Sequence, residues 1–86
     1  MKKFNVSIIG YGYWGPKLAR NFQNSNFFNL TSIIDTSKKN LIKAKSDFPL
    51  AKIGTDYKQS LNKLNNSLIV IATPTKTHFQ IAKYVL

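Results

Sequence analysis

The 86 residues suffice for one domain core, and with no cysteine and a single histidine they exclude a disulfide framework and a histidine-rich metal site. The net charge of +10 arises from lysines spread along the chain, such as Lys17, Lys43 and Lys83, which is typical of solvated helix faces rather than of a nucleic-acid interface. The longest apolar run, residues 68–72, is too short to span a bilayer and no signal-peptide cleavage site is present, so we expect a cytoplasmic location without nucleic-acid or membrane partners.

Apolar runs alternate with segments of helical period, which predicts parallel strands joined by crossover helices. Residues 4–9 are predicted to form the first strand. Pro16 then begins a helix that ends near residues 24–26, because proline suits the first helical turn and the Asn-Ser-Asn cluster favours a turn. Residues 29–35 are predicted as the second strand, with its two adjacent isoleucines buried on opposite faces.

The second half of the chain continues the same alternation. Ser37 begins a second helix that Pro49 ends, and a short third strand follows at residues 51–53. Thr55 or Asp56 is predicted to cap a third helix. Residues 67–73 form the fourth strand, and a last helix follows it. We therefore predict a single domain over residues 1–86, an α/β Rossmann-like parallel sheet in three α/β/α layers, with four strand-helix units of an incomplete doubly wound fold.

A glycine-rich turn lies between the first strand and the first helix. Its sequence is Gly10-Tyr11-Gly12-Tyr13-Trp14-Gly15, the G-x-G-x-x-G spacing of dinucleotide-binding turns. The first glycine permits the tight turn, the second lets the backbone approach a diphosphate, and the third lets the helix pack on the strand. The helix N-terminus favours the anion. We interpret the aromatic residues of the turn as shaping this cleft rather than as stacking nucleic-acid bases.

Asp35 ends the second predicted strand, twenty positions after the third glycine, where the fingerprint places the group that binds the adenosine ribose. A carboxylate accepts hydrogen bonds from the ribose 2′-hydroxyl and repels a 2′-phosphate, so NAD is the predicted cofactor. Thr36, Ser37, Lys38 and Lys39 follow directly and offer donors for that phosphate, which keeps NADP as the alternative. A solvated helix cap is the other interpretation of these four residues.

The segment after the fourth strand lies at the carboxyl edge of the sheet, where open α/β sheets bind ligands. We therefore predict that Thr73, Pro74, Thr75 and His78 line the cofactor cleft. The helical spacing of the single histidine with Ile81 favours a half-buried structural role for its imidazole over proton transfer. Neither a carboxylate pair nor a nucleophile beside a base is present, so no catalytic residue is assigned.

The runs IIGYGYWGPKLARNF, SIID and LIVIATPTKTHFQIAKYVL resemble the Gfo/Idh/MocA oxidoreductases, named for glucose-fructose oxidoreductase and inositol dehydrogenase. The resemblance implies that Gly10, Gly12, Trp14 and Gly15 hold the diphosphate, and Asp35 the adenosine ribose. It implies that the A-T-P-x-x-x-H segment lies beside the cofactor. Members also carry a Glu-Lys-Pro motif, whose lysine contributes to catalysis, and a substrate domain. This chain contains no glutamate, so that motif is absent.

Three functional hypotheses follow. The first is the NAD(P)-binding portion of an oxidoreductase that transfers hydride between a nicotinamide cofactor and a sugar, sugar-nucleotide or cyclitol hydroxyl; we expect this portion to bind cofactor without turnover. The second is a stand-alone nucleotide-sensing module. The third, ranked last, is a basic nucleic-acid-binding protein. Because the fourth strand would expose an apolar edge, we also expect self-association or a covering C-terminal domain.

Overall fold

The computed structural model describes residues 4–56 and 68–73. These residues form four parallel strands: β1 (Phe4–Ile9), β2 (Phe28–Ile34), β3 (Lys52–Gly54) and β4 (Leu68–Ile71). The strand order is β3-β2-β1-β4. The sheet therefore extends outward in both directions from β1, and the Rossmann-like α/β fold predicted from the alternation of elements is confirmed.

Two helices connect the first three strands: α1 (Gly15–Gln23) and α2 (Lys38–Asp47). A proline lies in the first turn of α1, where the missing N–H costs no helical hydrogen bond. The N-cap of α2 is Ser37, whose hydroxyl accepts a hydrogen bond from the Asn40 N–H at 3.3 Å. The predicted third and final helices lie outside the described residues.

The core is divided between the two faces of the sheet. One face buries Val6, Ile8 and Ile33 against Ala19 of α1 and Ala44 of α2. The opposite face brings together four isoleucines. One comes from the end of β1, one from the end of β2 and two from β4: Ile9, Ile34, Ile69 and Ile71. Ile33 and Ile34 therefore lie on opposite faces, as their places in a strand buried on both sides predict.

The β1–β2 pairing contains one irregularity. Val6 is opposite Leu30, whereas Ser7 is opposite Ser32, so β2 has an extra residue at Thr31. Beyond this residue the two serine hydroxyls meet at 2.5 Å in the buried sheet. The shifted register continues to Ile34, which leads directly to Asp35 at the carboxyl edge. Within the described residues, no helix is long and apolar enough to cross a membrane.

Candidate functional site

The glycine turn follows β1 at the carboxyl edge of the sheet and is held there by the neighbouring strand. The N–H of Gly10 donates to the Ile34 carbonyl at 2.6 Å. Gly10 has φ of +106°, a conformation that side chains rarely permit. A Cβ on Gly15 would overlap the Gly10 carbonyl, so the start of α1 packs directly on the turn. Two of the three predicted glycine roles thus have a visible steric cause.

Gly12 differs from the other two glycines because it faces open space. A Cβ built on Gly12 would have no described atom within 4 Å, and the residue is exposed. Bare backbone at this position lets a ligand approach the chain closely. The N-cap of α1 is Trp14, whose side chain makes no capping hydrogen bond, and no acidic residue lies in the first turn. The open backbone and the uncapped helix start suit an anionic group such as a diphosphate.

Asp35 lies immediately beyond β2 and faces the turn. Its Oδ2 accepts a hydrogen bond from the Tyr11 N–H at 2.7 Å, and its Oδ1 accepts one from the Ser37 N–H at 2.8 Å. The Asn40 side-chain amide donates to Oδ2 at 3.1 Å. A carboxylate offers about four acceptor positions, so these three contacts from described residues orient it without using its full acceptor capacity. The predicted ribose acid and the glycine turn are therefore in direct contact.

The residues considered for NADP binding lie at the start of α2. Thr36, Lys38 and Lys39 are exposed, and Ser37 serves as the N-cap. The capping role of Ser37 matches the solvated-cap interpretation. Thr36, one of the predicted cofactor-binding residues, follows Asp35 in the chain and is exposed to solvent.

Thr73 lies just beyond the end of β4 and contacts the glycine turn at Gly10. Ala72 donates its N–H to the Ile9 carbonyl at 2.8 Å, which continues the pairing with β1 past the end of the strand. The Thr73 methyl group lies 2.8 Å from where a Gly10 Cβ would be. The Oγ1 of Thr73 is buried and has no hydrogen-bond partner among the described residues. A buried hydroxyl without a partner beside the turn fits a site that a polar ligand completes. Pro74, Thr75 and His78 lie outside the described residues.

The aromatic residues of the turn have different surroundings. Tyr13 is 75% exposed and Trp14 is 57% exposed, and their rings meet edge to face with centroids 5.0 Å apart. The Lys17 ammonium lies 5.3 Å from the Trp14 ring centroid. Tyr11 is only 1% exposed, so its side chain belongs to the core and its backbone N–H faces Asp35.

Two contributors to this geometry have little or no signal in the sequence. Asn40 contacts Asp35 from the first turn of α2, but an asparagine five residues after an aspartate is a weak signal. Asp47 accepts a hydrogen bond from the Tyr11 hydroxyl at 2.5 Å. Burial first, and then Asp47, raise the pKa of Tyr11 well above its ordinary value, so the hydroxyl remains a donor. Because Tyr11 and Asp47 are 36 positions apart in the chain, no local sequence pattern reveals their contact.

Several known proteins resemble this chain. YdgJ, an uncharacterized oxidoreductase of Escherichia coli (strain K12), is 33% identical over 81 residues, which are 94% of this chain and 23% of YdgJ. Scyllo-inositol dehydrogenase from Lactobacillus casei, solved with NAD(H) and scyllo-inositol, has a TM-score of 0.86 at 19% identity and covers 95% of this chain and 24% of its own. The WlbA dehydrogenase from Bordetella pertussis, solved with NADH and UDP-GlcNAcA, has a TM-score of 0.89 at 24% identity and covers 98% and 26%.

The chain thus spans about a quarter of the length of these relatives. The two solved structures, at TM-scores of 0.86 and 0.89, support the fold. The family model GFO_IDH_MocA, described as an oxidoreductase family with an NAD-binding Rossmann fold, matches residues 4–86. The chain therefore belongs to this family of NAD-binding oxidoreductases.

Proposed function

We propose that this chain binds NAD across the carboxyl edge of its sheet, with the diphosphate over the Gly12 backbone and the adenosine ribose on Asp35. The observation that carries the proposal is the contact between these two parts, since the Tyr11 N–H joins the turn to the Asp35 carboxylate at 2.7 Å. In the part of the chain that the structure describes, the space at Gly12 is open and the Thr73 hydroxyl has no partner, and both features fit the same ligand. Asp35 favours NAD over NADP because a carboxylate repels the 2′-phosphate.

The proposed role of the chain is to be the NAD-binding portion of an oxidoreductase, one that transfers hydride between the nicotinamide and the hydroxyl-bearing carbon of a sugar, sugar nucleotide or cyclitol. Two structural relatives support this substrate class, one solved with scyllo-inositol and the other with UDP-GlcNAcA. When bound, NAD supplies the hydride acceptor. The residues of this chain bind and orient it: Gly12 allows close approach, the first turn of α1 offers its N–H groups, and Asp35 accepts from the ribose.

Within the described residues, none is assigned to proton transfer, so the proposal for this chain is cofactor binding without turnover. The test is a fluorescence titration of the protein with NADH and NADPH, together with an Asp35→Ala variant. We expect saturable NADH binding that weakens about 10-fold or more in the variant, because a charge-assisted hydrogen bond to the ribose is lost. The affinity for NADPH should fall less than that for NADH, or rise, because the variant lacks the carboxylate that repels the 2′-phosphate.

Lys43→Ala provides the matched control, because Lys43 is an exposed residue of α2. Its NADH affinity should stay within about twofold of the unmodified chain, as surface substitutions have small effects. NADH affinity that is indifferent to Asp35→Ala, or a folded chain that binds neither nucleotide, would refute the proposed site. To test for turnover, the protein is incubated with NAD and scyllo-inositol while the absorbance of NADH is followed. An increase in this absorbance would contradict the proposal that the chain binds the cofactor without turnover.

A further inference from the structure

Tyr11 is the buried side chain of the glycine turn. Among residues 10–15, three are glycines, and Tyr13 and Trp14 are mostly exposed, whereas Tyr11 is 1% exposed. Glycines give the backbone wide conformational freedom, so such a turn holds one shape only if something outside it restrains it. The Tyr11 side chain is positioned to provide that restraint.

Three contacts fix Tyr11 at both ends. Its N–H donates to Asp35 at 2.7 Å, and its hydroxyl donates to Asp47 Oδ2 at 2.5 Å. Between them, the ring meets Phe48 edge to face, with centroids 6.4 Å apart and planes at 87°. The residue therefore connects the turn and the ribose acid to the C-terminal end of α2.

The acceptor for the hydroxyl is costly for its own helix. Asp47 is the last residue of α2, where a carboxylate opposes the helix dipole. The chain has only three acidic residues against thirteen basic ones, and two of the three accept hydrogen bonds from Tyr11. Burial and then the Asp47 contact raise the pKa of the Tyr11 hydroxyl, so it remains a donor to Asp47 even above the pH at which a free tyrosine ionises.

Building on the proposed function, we propose that Tyr11 and Asp47 are a positioning pair, whose hydrogen bond fixes the backbone of residues 10–15 in the shape that receives the NAD diphosphate. Asp47 is exposed and lies at the other end of α2 from Asn40, in a helix about 15 Å long. In this proposal it contributes to cofactor affinity from that distance. Neither side chain needs to touch the cofactor. Their effect reaches it through the backbone of the turn.

The test is a double-mutant cycle on NADH affinity with Tyr11→Phe, Asp47→Ala and the combined variant, each measured well below its unfolding temperature. Each single variant should weaken NADH binding about 10-fold, equivalent to about 1.4 kcal/mol. The combined variant should be no weaker than either single one, because both remove the same hydrogen bond. Asp47→Asn keeps an acceptor oxygen and should remain within about threefold of the unmodified chain. Ser46→Ala, on the exposed surface beside Asp47, is the matched control.

Amide hydrogen exchange without cofactor gives the second readout. Tyr11→Phe and Asp47→Ala should each exchange faster at residues 11–15, while the amides of β1 stay unchanged. Unchanged affinity and exchange in both folded variants would refute the positioning pair while leaving the proposed NAD site intact. Independent, additive losses would refute it as well. Absence of NADH binding by the folded, unmodified chain would instead refute the proposed function, and the inference with it.

Discussion

At the scale of single residues, the glycines of the turn meet different physical demands. Gly10 needs its positive φ, and Gly15 needs the absence of a Cβ because the Gly10 carbonyl occupies that space. Gly12 has neither requirement within the described structure, since the space around it is open. Folding therefore accounts for Gly10 and Gly15, whereas the presence of glycine at position 12 is explained by the proposed close approach of the NAD diphosphate.

This difference separates stability from binding. Gly12→Ala should keep the unfolding temperature of the chain, or raise it slightly, because alanine reduces the entropy of the unfolded state. The same change should weaken NADH binding at least about 10-fold, because the added methyl group enters the proposed diphosphate space. Gly15→Ala should instead lower the unfolding temperature. Thermal unfolding and NADH titration of both variants check these outcomes, and a destabilised Gly12→Ala would contradict them.

The raised pKa of Tyr11 predicts that the stability of the chain depends on pH. Its pKa in the folded chain is raised above the ordinary value of about 10, so the unfolded chain loses this proton first as pH rises. The stability that Tyr11 contributes is therefore fully present below about pH 10 and declines above it. Tyr11→Phe should cost about 1–2 kcal/mol at neutral pH. This difference from the unmodified chain should narrow by up to about 1.4 kcal/mol per pH unit above about pH 10.

Urea unfolding of both proteins between about pH 8 and pH 11 measures this difference, and the comparison cancels the titration of the lysines and other tyrosines. A difference that stays constant through this range would mean that the hydroxyl ionises equally easily in both states.

The sequence predicted part of the site because some of its chemistry is local. The glycine spacing and the twenty-residue step to Asp35 follow from the length of one strand-helix-strand unit, and the structure brings these residues together. The Tyr11–Asp47 contact was not predictable, because it depends on how α2 packs over the turn. From the sequence alone, an aromatic residue between two glycines fits the wall of a cleft as well as it fits the core. The structure places the Tyr11 side chain in the core.

At the scale of elements, β1 and β2 were predicted to within one residue, and α2 was placed by its capping serine and its apolar spacing. The extra residue at Thr31 was not predicted. Nothing in the run FNLTSII distinguishes a regular strand from one with an added residue, since the register depends on the pairing with β1. Ser7 and Ser32 meet only because of this shifted register.

The buried serine pair has a measurable contribution to stability. Ser32→Ala removes one of two hydroxyls that meet at 2.5 Å at sites with at most 1% exposure. We expect the free energy of unfolding to fall by about 1–2 kcal/mol, the usual effect of removing a buried hydrogen-bond partner. Urea unfolding measures the change, with exposed Ser46→Ala as the control at no more than about 0.5 kcal/mol. Equal effects of the two substitutions would contradict the importance of the pair.

At the scale of the whole molecule, the sheet order and the charge act in opposite directions. Within the described residues β4 pairs with β1 alone, so its outer edge presents backbone groups beside the apolar side chains of Ile69 and Ile71. The net charge of +10 opposes contact through this edge, because it makes copies of the chain repel one another. The charge is read directly from the composition, and the observed order β3-β2-β1-β4 is the one usual for the predicted doubly wound fold.

We predict that the 86-residue chain self-associates, and that association strengthens with salt as charge repulsion is screened. Sedimentation velocity at low and high ionic strength measures this behaviour. The opposite salt dependence would indicate association driven by charge attraction. A monodisperse monomer at high concentration in both conditions would show that the β4 edge is not adhesive.

The extra residue at Thr31 also determines on which side of the sheet each later residue of β2 lies. Side chains alternate along a strand, so one added residue exchanges the two faces for everything that follows it. Leu30 and Ile33, an odd number of residues apart, consequently share the core beneath the helices. Asp35 follows β2 directly, so its place at the carboxyl edge of the sheet depends on the same added residue. The contact between this carboxylate and the glycine turn therefore depends on a residue four positions earlier in the chain, outside the proposed NAD site.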